Sequence, residues 1–239
     1  MTDVVLYDYW RSSASYRVRI ALNFKGIPYD AVSIDLLKGQ HKSAEHLAKQ
    51  PQGIVPAIDI DGQTLTQSLA IIEYLEETRP ERPLMPKEAG ARARVRAISG
   101  AIAMEIHPIC NLSIVKYVES LIGGGDDTKI QWMQRFIRKG LLDVETYLGD
   151  GKSGLFCHGD QITMADCCLI PQLYNAARWG AKYDDLEKIC AIEQACKEIP
   201  AFDKAHPDNN QPGLAFISRS DLDTGNILSV HTQYTYPFG

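Results

Sequence analysis

The stretch Arg11-Ser12-Ser13-Ala14-Ser15-Tyr16-Arg17-Val18-Arg19-Ile20-Ala21-Leu22 decides how the first third of the chain is read. It follows a short apolar run, Val4-Val5-Leu6-Tyr7, which reads as a strand. Val18, Ala21 and Leu22 then recur at helical spacing, so strand gives way to helix within a few residues. Serines at that junction suit a helix start, where a side-chain oxygen accepts a backbone N–H and stabilises by about 1 kcal/mol. Ser12 or Ser13 serves as this cap. The same helix start carries unpaired N–H groups and a partial positive charge, which favour a bound anion such as a thiolate or oxyanion.

Outward from this stretch, Gly26 and Pro28 supply the stop signals of the helix. Tyr29 to Ile34 alternates as a strand does, and His41 to Gln50 reads as a short helix. Ala57-Ile58-Asp59-Ile60 and Thr64-Leu65 flank Asp61-Gly62, a two-residue hairpin signal. Ser68 to Glu77 carries Leu69, Ile72 and Leu75 on one helical face. The order β-α-β-α-β-β-α predicts a small mixed sheet with helices on its faces. Just before the hairpin lies Gly53-Ile54-Val55-Pro56-Ala57. X-Pro bonds are the common site of cis peptides, and a cis Val55-Pro56 leaves the Val55 N–H and C=O free for an extended peptide. An ordinary trans proline at a strand start fits the same residues. Gln67-Ser68 opens the next helix; Ser68 either caps it or offers its hydroxyl and N–H to a carboxylate.

Beyond residue 78 the composition changes. Arg79-Pro80-Glu81-Arg82-Pro83-Leu84-Met85-Pro86 is proline-rich and reads as a linker. From about Glu88 to Pro200 the pattern is helical, with Ile130, Met133, Ile137, Leu141, Val144 and Leu148 in one apolar stripe. Gly123-Gly124-Gly125 and Gly149 to Gly154 break it, and His107-Pro108 predicts a kink. Thr163-Met164-Ala165-Asp166 has capping-box spacing and reads as a buried helix nucleus. Beyond Pro212 no period is sustained, so 214–239 is set apart as a tail without an assigned structure. The resulting division is 1–80, a linker at 81–88, 89–213, and the tail.

Composition excludes several classes. The 239 residues carry a net charge of -5, with no basic excess for nucleic acid. No run approaches the roughly 20 apolar residues of a membrane span. Met1-Thr2-Asp3 lacks the basic start and apolar run of a signal peptide, so the expected location is cytoplasmic. Cys110, Cys157, Cys167, Cys168, Cys190 and Cys196 form no CxxC pair and no zinc spacing, so they read as buried reduced thiols and no metal is expected.

Taken in order, these features resemble the cytosolic glutathione transferase fold. Ser12 to Leu22 is similar to the signature of the zeta class, which includes maleylacetoacetate isomerases. Gln67-Ser68, Asn111-Leu112-Ser113, Gly159 to Asp166, Leu169-Ile170-Pro171-Gln172, His206-Pro207 and Gln211-Pro212 agree with it, over about residues 4–213. The resemblance implies an α/β thioredoxin-like N-terminal domain, an all-α C-terminal domain, a homodimer and glutathione as cofactor. In a thioredoxin-like unit a CxxC opens the first helix; Ser12 and Ser15 stand there instead, so the thiol must come from a ligand. Ser12, Ser13 and Ser15 then fall at the thiol end. Gln40, Val55, Gln67 and Ser68 fall on glutathione-binding positions, with His107, Asn111, Leu112 and Ser113 near the mouth. Arg178, with Arg11, would receive substrate carboxylates. The class often has Cys where this chain has Ala14, which excludes any mechanism needing that thiol. The implied activity is glutathione-dependent conversion of maleylacetoacetate to fumarylacetoacetate. Its alternatives are a maleylpyruvate isomerase, a transferase acting on α-halo acids, and a non-catalytic binding protein on the same scaffold.

Overall fold

The computed structural model describes residues 3–212, so the tail set apart at 214–239 lies outside the described residues. The first part of the chain forms β1 (Val5–Asp8), α1 (Ser13–Lys25), β2 (Asp30–Ser33), a 3-10 turn (Gln40–Lys42), α2 (Ala44–Lys49), β3 (Ala57–Ile60), β4 (Gln63–Thr66) and α3 (Ser68–Thr78). The sheet order is β2-β1-β3-β4. β2 runs parallel to β1, and β3 and β4 are each antiparallel to the strand before them in the sheet. Leu6 lies opposite Ala31 on one side and Ile58 on the other. Asp61 (φ 52°) and Gly62 (φ 75°) both take the positive φ that a tight hairpin with matching twist requires. Gly26 closes α1 at φ 72°.

One predicted helix is divided. The stretch read as a helix from His41 to Gln50 splits at Ser43, whose Oγ accepts the His46 N–H at 3.2 Å and starts α2 afresh. A side-chain cap that competes with continuing helix produces this break.

The second part is α4 (Ala89–Gly100), a π-helical turn (Ala101–Ile106), α5 (His107–Ile109), α6 (Leu112–Ile122), α7 (Gly125–Leu148), α8 (Met164–Trp179), α9 (Glu187–Lys197), α10 (Pro200–Ala205) and a 3-10 turn (Pro207–Asn210). The disturbance expected at His107-Pro108 takes the form of the π turn just upstream, since Pro108 has no N–H for the helix ladder. Gly140 of α7 sits directly against Ile106 of that turn, and a Cβ there would collide with the Ile106 side chain.

One expectation changes. Within the helical segments of 89–122 an 18-residue window reaches a mean hydropathy of 1.4, long and apolar enough by length and composition to cross a bilayer, although no such run was expected. The apolar residues Val95, Ile98, Ile102 and Ile106 are buried, and these segments pack on α7 and α8. The part from residue 89 on is helical as expected, and the break read at Gly149 to Gly154 extends into an irregular loop over 149–163 with one isolated bridge, Ser153 to Gly159. Asp166 holds the end of that loop. Its fully buried carboxylate accepts from the Thr163 N–H (2.7 Å), the Thr163 hydroxyl (2.9 Å) and the Cys157 N–H (2.8 Å), completing the expected capping box. The six cysteines are all free thiols, and five are buried.

α1 is the hinge of the whole arrangement. Ser13 and every residue from Ser15 to Leu22 are buried, because α1 packs on α3 on one side and on α8 and α10 on others. Polar side chains on such a helix reach either a partner or a site.

Candidate functional site

The β1–α1 junction shows what each serine does. Ser12 is the cap: it has extended backbone, and its Oγ accepts the Ser15 N–H at 3.2 Å. Because the Oγ is the acceptor there, the hydroxyl hydrogen is left for another partner, and Ser12 is only half-buried. Ser13 is buried, and its hydroxyl donates to the Pro171 carbonyl of α8 at 3.5 Å. Ser15 is fully buried with its Oγ unpartnered among the described residues. Of the three, Ser12 alone is not buried, and it stands at the positive end of α1.

The second arm is the loop before β3. Val55-Pro56 is cis. Val55 is buried, and neither its N–H nor its C=O takes a hydrogen bond among the described residues. His46 steadies the preceding carbonyl, with Nε2 at 2.7 Å from Ile54 O.

The third arm is the start of α3, and here the capping alternative for Ser68 is corrected. Gln67, at φ 67°, precedes the helix, and Ser68 is already its first residue. The Ser68 Oγ instead accepts from Arg17 Nη1 at 3.1 Å, and both residues are buried. Gln67 Nε2 donates to Gln52 Oε1 at 2.6 Å. His107 approaches from α5 and is half-buried. Burial, then the Arg17 charge, pushes its pKa down to about 3, so its ring is neutral at pH 7 and offers one donor and one acceptor.

Two cations stand apart from these arms. Arg11 donates to the Tyr9 hydroxyl at 2.9 Å, and its guanidinium lies 4.8 Å from the Trp10 ring centroid. Arg178, in the last turn of α8, keeps an exposed surface, yet the protein around its guanidinium and then the Arg11 charge lower its pKa. That effect places the two guanidinium groups within electrostatic reach of each other. Neither pairs with a carboxylate among the described residues.

The other expected site residues are engaged locally. Gln40 is exposed, and its Oε1 accepts the Asp35 N–H at 2.7 Å within its own loop. Asn111 caps α6, with Oδ1 accepting both the Ser113 N–H and the Ser113 hydroxyl at 3.0 Å. Leu112 between them is 44% exposed. Lys116 of α6 is among the charges that lower the His41 pKa, after burial, Lys42 and His46, which puts it within electrostatic reach of the 3-10 turn that holds Gln40.

Two residues were missed as site members. Gln52 is the partner of Gln67, and nothing in the loop sequence marks it. Arg17 had a signal: it and Arg19 are two residues apart in an apolar helix, hence about 200° apart around the axis. A helix buried on more than one side cannot expose both.

The N-terminal part matches the family model for the glutathione S-transferase N-terminal domain over residues 2–77. Maleylacetoacetate isomerase of Rhizobium meliloti (strain 1021) is 54% identical over 210 residues, covering 88% of this chain and 99% of that relative. Among solved structures, a holo maleylpyruvate isomerase described as a bacterial zeta-class glutathione S-transferase is 40% identical with a TM-score of 0.84. The alignment covers 88% of this chain and all of that one (100%). Maleylacetoacetate isomerase of Methylobacterium extorquens AM1, solved with bound malonate and GSH, is 38% identical with a TM-score of 0.83, covering 87% and 98% of the two chains. By identity over nearly its relatives' full length, by fold and by the serine-opened first helix, the chain belongs to the maleylacetoacetate isomerase family, within the zeta class of glutathione transferases.

Proposed function

We propose that this chain is a glutathione-dependent cis–trans isomerase that converts maleylacetoacetate to fumarylacetoacetate, a step of tyrosine and phenylalanine catabolism. The observation that carries the reading is the pairing of two unsatisfied sets: open donors along α1, Val55 and α3, and two carboxylate-free guanidinium groups at Arg11 and Arg178.

Glutathione fits the first set. A peptide backbone can pair with the free N–H and C=O of Val55. An α-carboxylate suits the start of α3, where Gln67 and Ser68 stand. Arg17 has two buried nitrogens without a partner among the described residues. Gln40, His107, Asn111, Leu112 and Ser113 complete the binding wall in this reading. When bound, glutathione supplies a thiol that adds reversibly to the cis double bond, so that the carbon–carbon bond can rotate before it re-forms trans. Ser12 donates its free hydroxyl to the sulfur, and with the α1 N-terminus it favours thiolate at neutral pH. Ser13 and Ser15, both buried, support that turn from behind. Arg11 and Arg178 hold the substrate's carboxylates, which the planar guanidinium fork suits, and so fix the double bond against the sulfur. A related enzyme was solved with bound malonate, a dicarboxylate, and GSH. Residues 1–80 thus act as the glutathione-binding domain and 89–213 as the substrate domain. In the same reading the enzyme works in the cytoplasm as a homodimer, which sedimentation analysis checks.

The test is isomerisation of maleylacetoacetate with maleylpyruvate run beside it, each with and without glutathione. Glutathione-dependent turnover of maleylacetoacetate well above maleylpyruvate is expected. The reverse preference reassigns the substrate within the same chemistry. Turnover of neither, with turnover of α-halo acids, moves the chain to the transferase reading. Glutathione binding without turnover of any of these leaves a binding protein.

A further inference from the structure

Arg17 is 2% exposed. Nη1 donates to the Ser68 hydroxyl oxygen at 3.1 Å, while Nε and Nη2 have no partner among the described residues. No carboxylate lies within ion-pair distance among the described residues. The ionisable neighbours that act with it are His107, neutral at pH 7, and the Cys168 thiol, which burial pushes up and so keeps protonated. A buried guanidinium normally fills its five donors, and leaving it short costs stability. This arrangement persists in the fold while contributing nothing to its hydrogen bonding beyond one contact to Ser68.

That one contact has a directional consequence. Because the Ser68 Oγ accepts from Arg17, its own hydrogen cannot point back at the guanidinium. It points elsewhere, as a donor polarised by the cation behind it. We infer that Arg17 is the positioning residue and buried counter-charge for the anionic end of the ligand held at Ser68, orienting the Ser68 hydroxyl as a donor to the γ-glutamyl α-carboxylate of glutathione. The inference rests on the glutathione reading above and assigns the charge behind it. Two features support it: the direction of the Arg17–Ser68 bond, and the absence, among the described residues, of any group that neutralises Arg17.

The test is calorimetric titration of the wild-type chain, Arg17→Met and Arg17→Lys with two ligands. One is glutathione. The other is 4-aminobutanoyl-cysteinyl-glycine, which is glutathione without the γ-glutamyl α-carboxylate. Arg17→Met is expected to weaken glutathione by about 30-fold, in the range for removing one partner of a buried charged hydrogen bond. It should leave the truncated ligand within about twofold of wild type, and Arg17→Lys should fall between. In turnover the loss should appear in the KM for glutathione with kcat largely kept. The melting temperature of Arg17→Met should stay level or rise, since an uncompensated buried charge is removed. Ser68→Ala and the Arg17→Met/Ser68→Ala double variant complete a cycle in which the two losses for glutathione are expected to overlap rather than add. Equal weakening of both ligands, additive losses in the cycle, or no weakening at all overturns the assignment of Arg17 alone. A wild-type chain that binds neither ligand overturns the glutathione reading, and this inference with it.

Discussion

Arg17 and Arg19 stand two residues apart on α1 and are buried alike, at 2% and 0% exposure, yet their surroundings are opposite. Arg19 is filled on every side. Its Nη1 meets both Asp8 carboxylate oxygens at 2.8 and 2.7 Å, its Nη2 the Trp10 carbonyl at 2.9 Å, and its Nε the Ala205 carbonyl at 3.0 Å. It thereby ties β1, the loop that follows it and α10 to one helix. Among the described residues Arg17 has one bond, to a neutral hydroxyl. A buried charge whose partners are all protein groups holds a fold together. One whose partners are missing is held by the fold for a ligand. Residue type and burial do not separate these cases; the inventory of acceptors does.

The comparison is broken most directly at Arg19. Arg19→Met removes the only ion-pair partner that Asp8 has among the described residues and leaves that carboxylate buried. We expect a loss of about 3–5 kcal/mol in unfolding free energy by urea titration. A loss below about 1 kcal/mol would mean that Arg19 is no more structural than Arg17. The contrast with Arg17→Met, where stability is kept and ligand affinity is lost, is the sharpest form of the argument.

The same division recurs four residues earlier, at a smaller scale. Ser13 spends its hydroxyl on Pro171, and Ser12 keeps its hydrogen free. Ser12→Ala should lower kcat/KM by about 10- to 100-fold, in line with removing one donor to a developing or resident anion. It should also cost about 1 kcal/mol of stability as a lost cap. Ser13→Ala should change kcat/KM only a fewfold. Equal effects of the two substitutions would show that the open hydroxyl of Ser12 has no special part.

What could be read from the sequence follows from how local each feature is. The Ser12 cap, the Gly26 stop, the Asp61-Gly62 turn and the Thr163-Asp166 capping box each depend on residues within four positions, and each stands as expected. The Arg17–Ser68 bond spans 51 positions, and no local pattern encodes it. The Ser68 cap failed for a backbone reason: Gln67 takes the positive φ, so the helix begins one residue sooner than a serine cap allows. The apolar stretch within residues 89–122 was underestimated because Glu105, His107 and Asn111 interrupt it in sequence while Ile98, Ile102 and Ile106 stay buried. The serine cluster was legible as a helix start, but the separate fates of Ser12, Ser13 and Ser15 depend on α8, more than 150 positions away.

The last prediction probes the missing counter-charge through pH. His107 sits beside Arg17, and its pKa is lowered to about 3, first by burial and then by that cation. Between the ordinary histidine value of about 6.5 and about 3, the unfolded chain binds a proton that the folded chain refuses. This contribution to stability is therefore complete above pH 6.5 and is lost as pH falls. From pH 6.5 to 5.5 the wild-type chain should lose about 1 kcal/mol more than His107→Gln, with equal slopes for the two at pH 7.5 and above. Arg17→Met should retain the burial part of the effect and shed the charge part, so its acid loss sets in over the same range but ends at a higher pH. If Arg17 were neutralised by a protein group, its replacement would leave the His107 profile unchanged, and Arg17 would join Arg19 as a structural residue.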